Sequence, residues 1–242
     1  TGPVPPLEGI STPPAFGEVT FEHEMGAMGE VIRAYGAKVG GGIVLMSGLE
    51  ERMAQKVSFK GIPYQEAVAV LAGMINCDYI HTGHYFAILP AEYRTLQYMN
   101  VREQMGEPYK AVSASVAFGA KTELFKVFSI LGKSLDITII ADNYIAEARC
   151  GEIFLSDSPL PVVLEAIMQS ARISPESFTV ESTPEYICIK AVKNKDSSSC
   201  LLNPSSLTAQ QKTLLDTSVS LFLPDVKTVE QAPFLGQPIL LE

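Results

Sequence analysis

A chain of 242 residues with a formal net charge of −9 is long enough for two domains of about 100–150 residues and for a core that needs no metal or disulfide staple. Its acidic balance repels phosphate backbones and anionic membrane surfaces, which argues against a nucleic-acid partner. No apolar run reaches the eighteen or so residues that cross a bilayer, and the longest, such as Ile137 to Ala141, are strand-sized.

The chain starts at Thr1 without an initiator Met or an apolar leader, as expected after removal of a signal peptide and equally for an internal fragment. Residues 1–16 carry Pro3, Pro5, Pro6, Pro13 and Pro14 and read as an extended arm. Residues 17–90 then read as a folded unit. Glu18 to Glu22 alternates like a strand, and Met28, Val31, Ile32 and Tyr35 fall at helical spacing in a helix from Met25 to Tyr35 that Gly36 ends. Gly42 to Met46 is a short buried strand, and Gln55 to Lys60 alternates with Val57 and Phe59 inward. Pro63 opens a second helix through about Ile75, where its fixed φ and missing N–H do no harm. Strands Asp78 to His81 and Tyr85 to Leu89, joined by a turn at Thr82-Gly83, close the unit.

Residues 91–110 form a polar, Tyr-rich connector with Gly106 and Pro108 as breakers. Residues 111–192 repeat the earlier order: strand Val112 to Phe118, helix Lys121 to Leu131, strands Ile137 to Ala141 and Glu152 to Ser156, helix Leu160 to Ala171, then strands Phe178 to Ser182 and Tyr186 to Lys190. Residues 193–242 are an extension with a helix over Pro204 to Leu215 and a strand over Ser218 to Leu223. Its end, Leu235 to Glu242, resembles the strand-to-helix junctions at Pro63 and Pro159, as if a third unit began there.

Repeats decide architecture, and one is present. Gly26 to Leu71 slides onto Thr122 to Ile167 without a gap, at an offset of 96 residues, the distance from Pro63 to Pro159. Val31/Val127, Gly36/Gly132, Ile43/Ile139, Glu51/Glu147 and Pro63/Pro159 are identical pairs. Apolar positions coincide too: Ile32 over Phe128, Tyr35 over Leu131, Val39 over Leu135, Val44 over Ile140, Leu49 over Ile145, Val57 over Ile153, Phe59 over Leu155 and Val68 over Leu164. Matching burial predicts matching folds, so the chain is read as α+β, two tandem β-α-β-β-α-β-β units with two amphipathic helices packed on small sheets.

Side chains that carry chemistry do not converge. His81 and His84 bracket a hairpin tip, and an H-x-x-H pair there needs a third ligand, Asp78 or His23, before it holds a metal; surface residence is the plainer expectation. The strings Gly40-Gly41-Gly42 and Gly26 to Gly29 lack phosphate-loop spacing, and no G-x-S-x-G elbow occurs. Glu50, Glu51 and Glu147 lie in equivalent loops and read as solvated. Cys77, Cys150, Cys188 and Cys200 form no C-x-x-C pair; buried free thiols are expected, with a Cys150–Cys188 disulfide open in an oxidising compartment. Tyr93, Tyr98 and Tyr109 in the connector suit either an interface or local packing. Catalytic, cofactor and metal residues are therefore expected to be none.

Two stretches carry a resemblance. Lys56 to Ala72 (KVSFKGIPYQEAVAVLA) and Gly151 to Ile167 (GEIFLSDSPLPVVLEAI), the latter preceded by Leu124 to Asp142, are similar to the short N-terminal domain shared by secretins and TonB-dependent receptors, the secretin N0 domain. The likeness covers about Val19 to Pro90 and Val112 to Lys190, and rests on turn and core positions. It implies a periplasmic fold, possession of no cofactor, and docking to protein partners or self-association into a ring. No barrel-forming segment is read here, so the resemblance implies the periplasmic part of a secretin-like outer-membrane secretion or pilus channel, or a stand-alone relative. A non-enzymatic interaction module is the first expectation; a signalling domain of a TonB-dependent receptor system, and a small ligand-binding protein or hydrolase, are the alternatives.

Overall fold

The computed structural model describes residues 17–94, 101–192, 200–202 and 239–241. The first 16 residues, Tyr98, the expected helix over 204–215, the expected strand over 218–223 and the junction at Pro238 lie outside the described residues. Residues 17–192 belong to one compact unit, and residues 193–242 to a second.

The fold is α+β. In the first repeat β1 (Glu18–His23) pairs antiparallel with β5 (Val57–Pro63), and β2 (Gly26–Ala27) pairs with β4 (Met53–Ala54). Helix α1 (Met28–Val39) leads to β3 (Ile43–Leu45), and α2 (Tyr64–Met74) leads to the hairpin β6 (Asp78–His81) and β7 (Phe86–Leu89). A one-turn helix, Ala91–Tyr93, follows, and then α3 (Val101–Gln104) and α4 (Glu107–Lys110) fill the connector. The second repeat comprises β8 (Ser113–Phe118), α5 (Leu124–Leu135), β9 (Thr138–Ala141), the single turn α6 (Asn143–Ala146), β10 (Glu152–Pro159), α7 (Leu160–Ser170), β11 (Phe178–Ser182) and β12 (Tyr186–Ala191). In the second compact unit β13 (Cys200–Leu202) pairs antiparallel with β14 (Ile239–Leu241).

Equivalent elements recur at the offset read from the sequence: α1 with α5, and α2 with α7. Both strand pairs before the second helices carry an irregularity, between Val19 and Phe21 on β1 and between Leu155 and Ser158 on β10. Pro63 and Pro159 are the last strand residues, extended at ψ 141° and 139°, so each strand runs directly into its helix. Helix α1 does not end at Gly36; it continues to Val39, and Gly40 at φ 86° closes it, its N–H bonded to the Gly36 carbonyl. Gly36 is instead a contact position, since a Cβ there would lie 2.5 Å from the Phe154 ring. Its counterpart α5 is closed by Asp136 at φ 55°, a residue that tolerates the left-handed region.

The repeats are not two separate domains. β3 pairs parallel with β7 on one side and antiparallel with β10 of the second repeat on the other, giving a five-stranded sheet in the order β6-β7-β3-β10-β8. One continuous apolar core runs through both repeats. The sequence explains why: α7 (LPVVLEAIMQS) is apolar nearly all round and buries almost every residue, whereas α2 keeps Gln65, Glu66 and Val70 outside. A helix apolar on both sides serves two layers, and α7 packs on β10 and β8 of its own repeat and on β3 of the other.

Candidate protein-interaction site

The junction between the repeats defines a surface by contrast. β3 is a central strand, its Ile43, Val44 and Leu45 all essentially inaccessible. Glu152, Ile153 and Phe154 of β10 pair with Leu45, Val44 and Ile43. On one face of this junction α1 offers Gly29, Arg33 and Gly36. Gly29 lies beside the Glu152 carboxylate, which is 3.4 Å from where a Cβ on Gly29 would be, Arg33 donates to Glu152 Oε1 at 2.5 Å, and Gly36 underlies Phe154. Gly151 sits so close to the β3 backbone that a Cβ would lie 1.8 Å from the Leu45 carbonyl oxygen. The junction is closed.

Its counterpart in the second repeat is open. β9 pairs with β12 in parallel and, among the described residues, with nothing on its other edge. Ile140 is 48% exposed where Val44 is 1%, so equal hydrophobicity did not bring equal burial. On α5 the positions matching Gly29, Arg33 and Gly36 are Phe125, 51% exposed, Ser129 and Gly132. Tyr186, opposite Thr138 on β12, and Tyr144 on α6 are exposed as well. An unpaired strand edge beside large exposed apolar side chains is the arrangement that receives another strand. Sequence carried part of the signal, because Gly29 to Phe125 and Arg33 to Ser129 are the changes a residue-by-residue comparison of the flanks displays.

The other outer strand of the repeat pair is guarded. β5, the counterpart of β10, has Gln55 where Gly151 stands and Lys56 where Glu152 stands. Lys56 is held outside by Glu24 at 2.6 Å.

The remaining candidates are scattered. His81 stacks on Phe86 with ring centroids 4.3 Å apart, and its pKa is lowered, first by burial and then by His84. His84 is half-buried at the rim of a cavity of about 430 Å³ with Glu18, Lys38 and the Gly40–Gly42 turn, and burial followed by Arg102 lowers its pKa. The floor of that cavity is already satisfied: Gly40 and Gly41 N–H both donate to Gly36 O, Tyr64 donates to Gly41 O and Ser156 to Gly40 O. Gly40, Gly41 and Gly42 all have positive φ, a tight turn that only glycine makes easily. Among the described residues no three His, Cys, Asp or Glu side chains come together to hold a metal. Cys77, Cys150 and Cys188 are free thiols, and burial pushes Cys150 up to about 11.

Glu51 and Glu147 lie at the surface, Glu51 paired with Lys121. Glu50 departs from the solvated expectation: its Oε2 is buried without a partner among the described residues, beside Gly29. In the connector Tyr109 is buried, and Tyr93 is half-buried with the Arg172 guanidinium 5.7 Å from its ring, so both pack locally. Gln104 accepts from Val180 N–H and Gly106 N–H donates to Ser182, fastening the connector to the second repeat.

No helix of the described residues is long and apolar enough to cross a membrane. No protein-family model matches the chain, and no curated protein or solved structure is significantly similar to it.

Proposed function

We propose that this chain is a non-enzymatic protein–protein interaction module, working in the periplasm as part of a secretin-like outer-membrane secretion or pilus channel. The observation that carries the interaction function is the open edge of β9 beside exposed Phe125 and Ile140, in a fold whose other copy of that edge is closed by a strand. Strand addition supplies affinity through backbone hydrogen bonds and selectivity through alternate side chains. The likeness of Lys56 to Ala72 and Gly151 to Ile167 to secretin N0 domains supports the periplasmic setting.

The test is capture and self-association. The purified chain, run by analytical ultracentrifugation across a hundredfold concentration range and used as bait against periplasmic extract, is expected to form a defined complex with itself or with one protein. A chain that stays monomeric and captures nothing at high concentration overturns the function.

A further inference from the structure

We propose that the open edge of β9 receives an extended segment of a partner polypeptide, antiparallel and in the register β10 takes on β3, and that this segment is a glycine followed by two uncharged apolar residues. The proposal rests on the interaction function above and specifies its partner.

The template is the junction this chain already makes once. Carrying Ile43, Val44 and Leu45 forward by the repeat offset places Ile139, Ile140 and Ala141 at the same edge. An incoming strand in that register has one residue opposite Ala141, the next opposite Ile140 and the third opposite Ile139. The residue before them takes the place of Gly151, whose absent side chain is what lets the strand approach the Leu45 carbonyl. At β9 the corresponding carbonyl belongs to Ala141, so glycine is required there for the same steric reason.

The chemistry of the next residue is set by what α5 lacks. In the closed junction this position is Glu152, fully buried and tolerated because Arg33 reaches it. In the open one Ser129 replaces Arg33 and Phe125 replaces Gly29. A carboxylate would lie against the Phe125 ring, whose neighbouring cation, Lys126 at 5.3 Å from the ring centroid, is exposed and paired with Glu123, so no cation reaches in as Arg33 does and the buried charge is left unpaired. The favoured residue is apolar. The following residue lies beside Ile140, on the face that also exposes Tyr186, and is apolar for the same reason. The β5 strand of a second copy does not meet these requirements, because Gln55 occupies the glycine position and Lys56 the apolar one. The occupant is therefore not the β5 strand of a head-to-tail copy, and Gln55 with Lys56 keeps the chain from polymerising through that edge.

The experiment uses the full chain and synthetic nine-residue peptides of residues 149–157 with Cys150→Ser. Three versions are compared: the parent, one with Glu152→Val, and one with both Glu152→Val and Gly151→Val. Amide shifts of Thr138 to Ala141 in an NMR titration report binding. The Glu152→Val peptide is expected to bind at least about tenfold more tightly than the parent, and the version lacking glycine to lose about tenfold or more. A chain carrying Ile140→Lys, at a half-exposed position that leaves the core intact, is expected to lose the shifts. Equal binding of the three peptides, shifts centred away from β9, no binding at millimolar peptide, or self-association of the chain through β9 each overturn the assignment. A captured partner whose footprint lies off β9 also overturns it and leaves the interaction function standing. Peptides that bind β9 as expected, with a chain that captures nothing, overturn the interaction function instead.

Discussion

The hydroxyl of Tyr85, at the head of β7, donates a 2.8 Å hydrogen bond to Oε1 of Gln169 on α7, and both side chains are buried. One belongs to the first repeat and the other to the second, so this bond lies inside the shared core. The Gln169 Nε2 has no partner among the described residues, which makes Oε1 the atom that offsets the burial of this amide.

Tyr85→Phe is expected to destabilise the chain by about 1–3 kcal/mol, since it strands a buried carbonyl acceptor without opening a large cavity. Adding Gln169→Met, close in volume and without polar N or O atoms, is expected to return most of that loss. Urea midpoints of the two single variants and the double variant give the coupling.

Removing the head of Arg33 while keeping its stem, as in Arg33→Met, leaves Glu152 buried and unpaired between the repeats. A fully buried pair broken this way loses about 3–5 kcal/mol, and the 57% exposure of the Arg33 side chain brings the expected loss down to about 2 kcal/mol. Glu152→Gln added to Arg33→Met is expected to recover part of it. A double variant less stable than Arg33→Met alone would show that the carboxylate is not the group at fault.

Two helical glycines are expected to behave oppositely. Gly73, in α2, has open space around it, so Gly73→Ala is expected to stabilise by about 0.4–1 kcal/mol through the unfolded chain. Gly36→Ala pushes a methyl group to 2.5 Å from Phe154 and is expected to destabilise by about 1–3 kcal/mol, with partial rescue by Phe154→Ala. Thermal and urea unfolding of the three variants checks the signs.

Burial pushes the Glu165 carboxyl on α7 up to about 8, against the pull of the Val101 and Arg102 amides and of the Arg102 charge. The folded chain then holds this proton over a range where the unfolded chain has released it. Stability from this group is full below the ordinary carboxylate range, near 4.5, and falls as pH rises toward about 8. Glu165→Gln is expected to flatten that slope and to raise the urea midpoint at pH 8 relative to the parent. An unchanged pH profile in the variant would show that the connector docks on α7 without titrating this group.

Much of the architecture was legible in periodicity. The alternation of Val57 and Phe59, the helical spacing of Val31, Ile32 and Tyr35, and the repeated proline at Pro63 and Pro159 depend on local geometry, and each locates an element that the structure contains. The end of α1 was misplaced at Gly36 because a glycine that stops a helix and one that admits a neighbouring ring look the same in one dimension. The buried Glu152 was missed for a related reason: its partner Arg33 lies 119 residues away. The candidate site was legible only as a pair of changed residues, Phe125 and Ser129, whose meaning depends on a strand that, among the described residues, arrives in one repeat and not in the other.

By itself the sequence determined that the chain folds as α+β and that its elements recur at a fixed offset, because hydrophobic period and turn chemistry act within a few residues of each other. Only the tertiary structure decided that β10 crosses to β3, that the repeats share one core, and that β9 keeps one edge unpaired among the described residues. Strand pairing over long separations depends on which backbone edges meet and on whether a glycine such as Gly151 lets them approach, and neither leaves a local pattern in the chain.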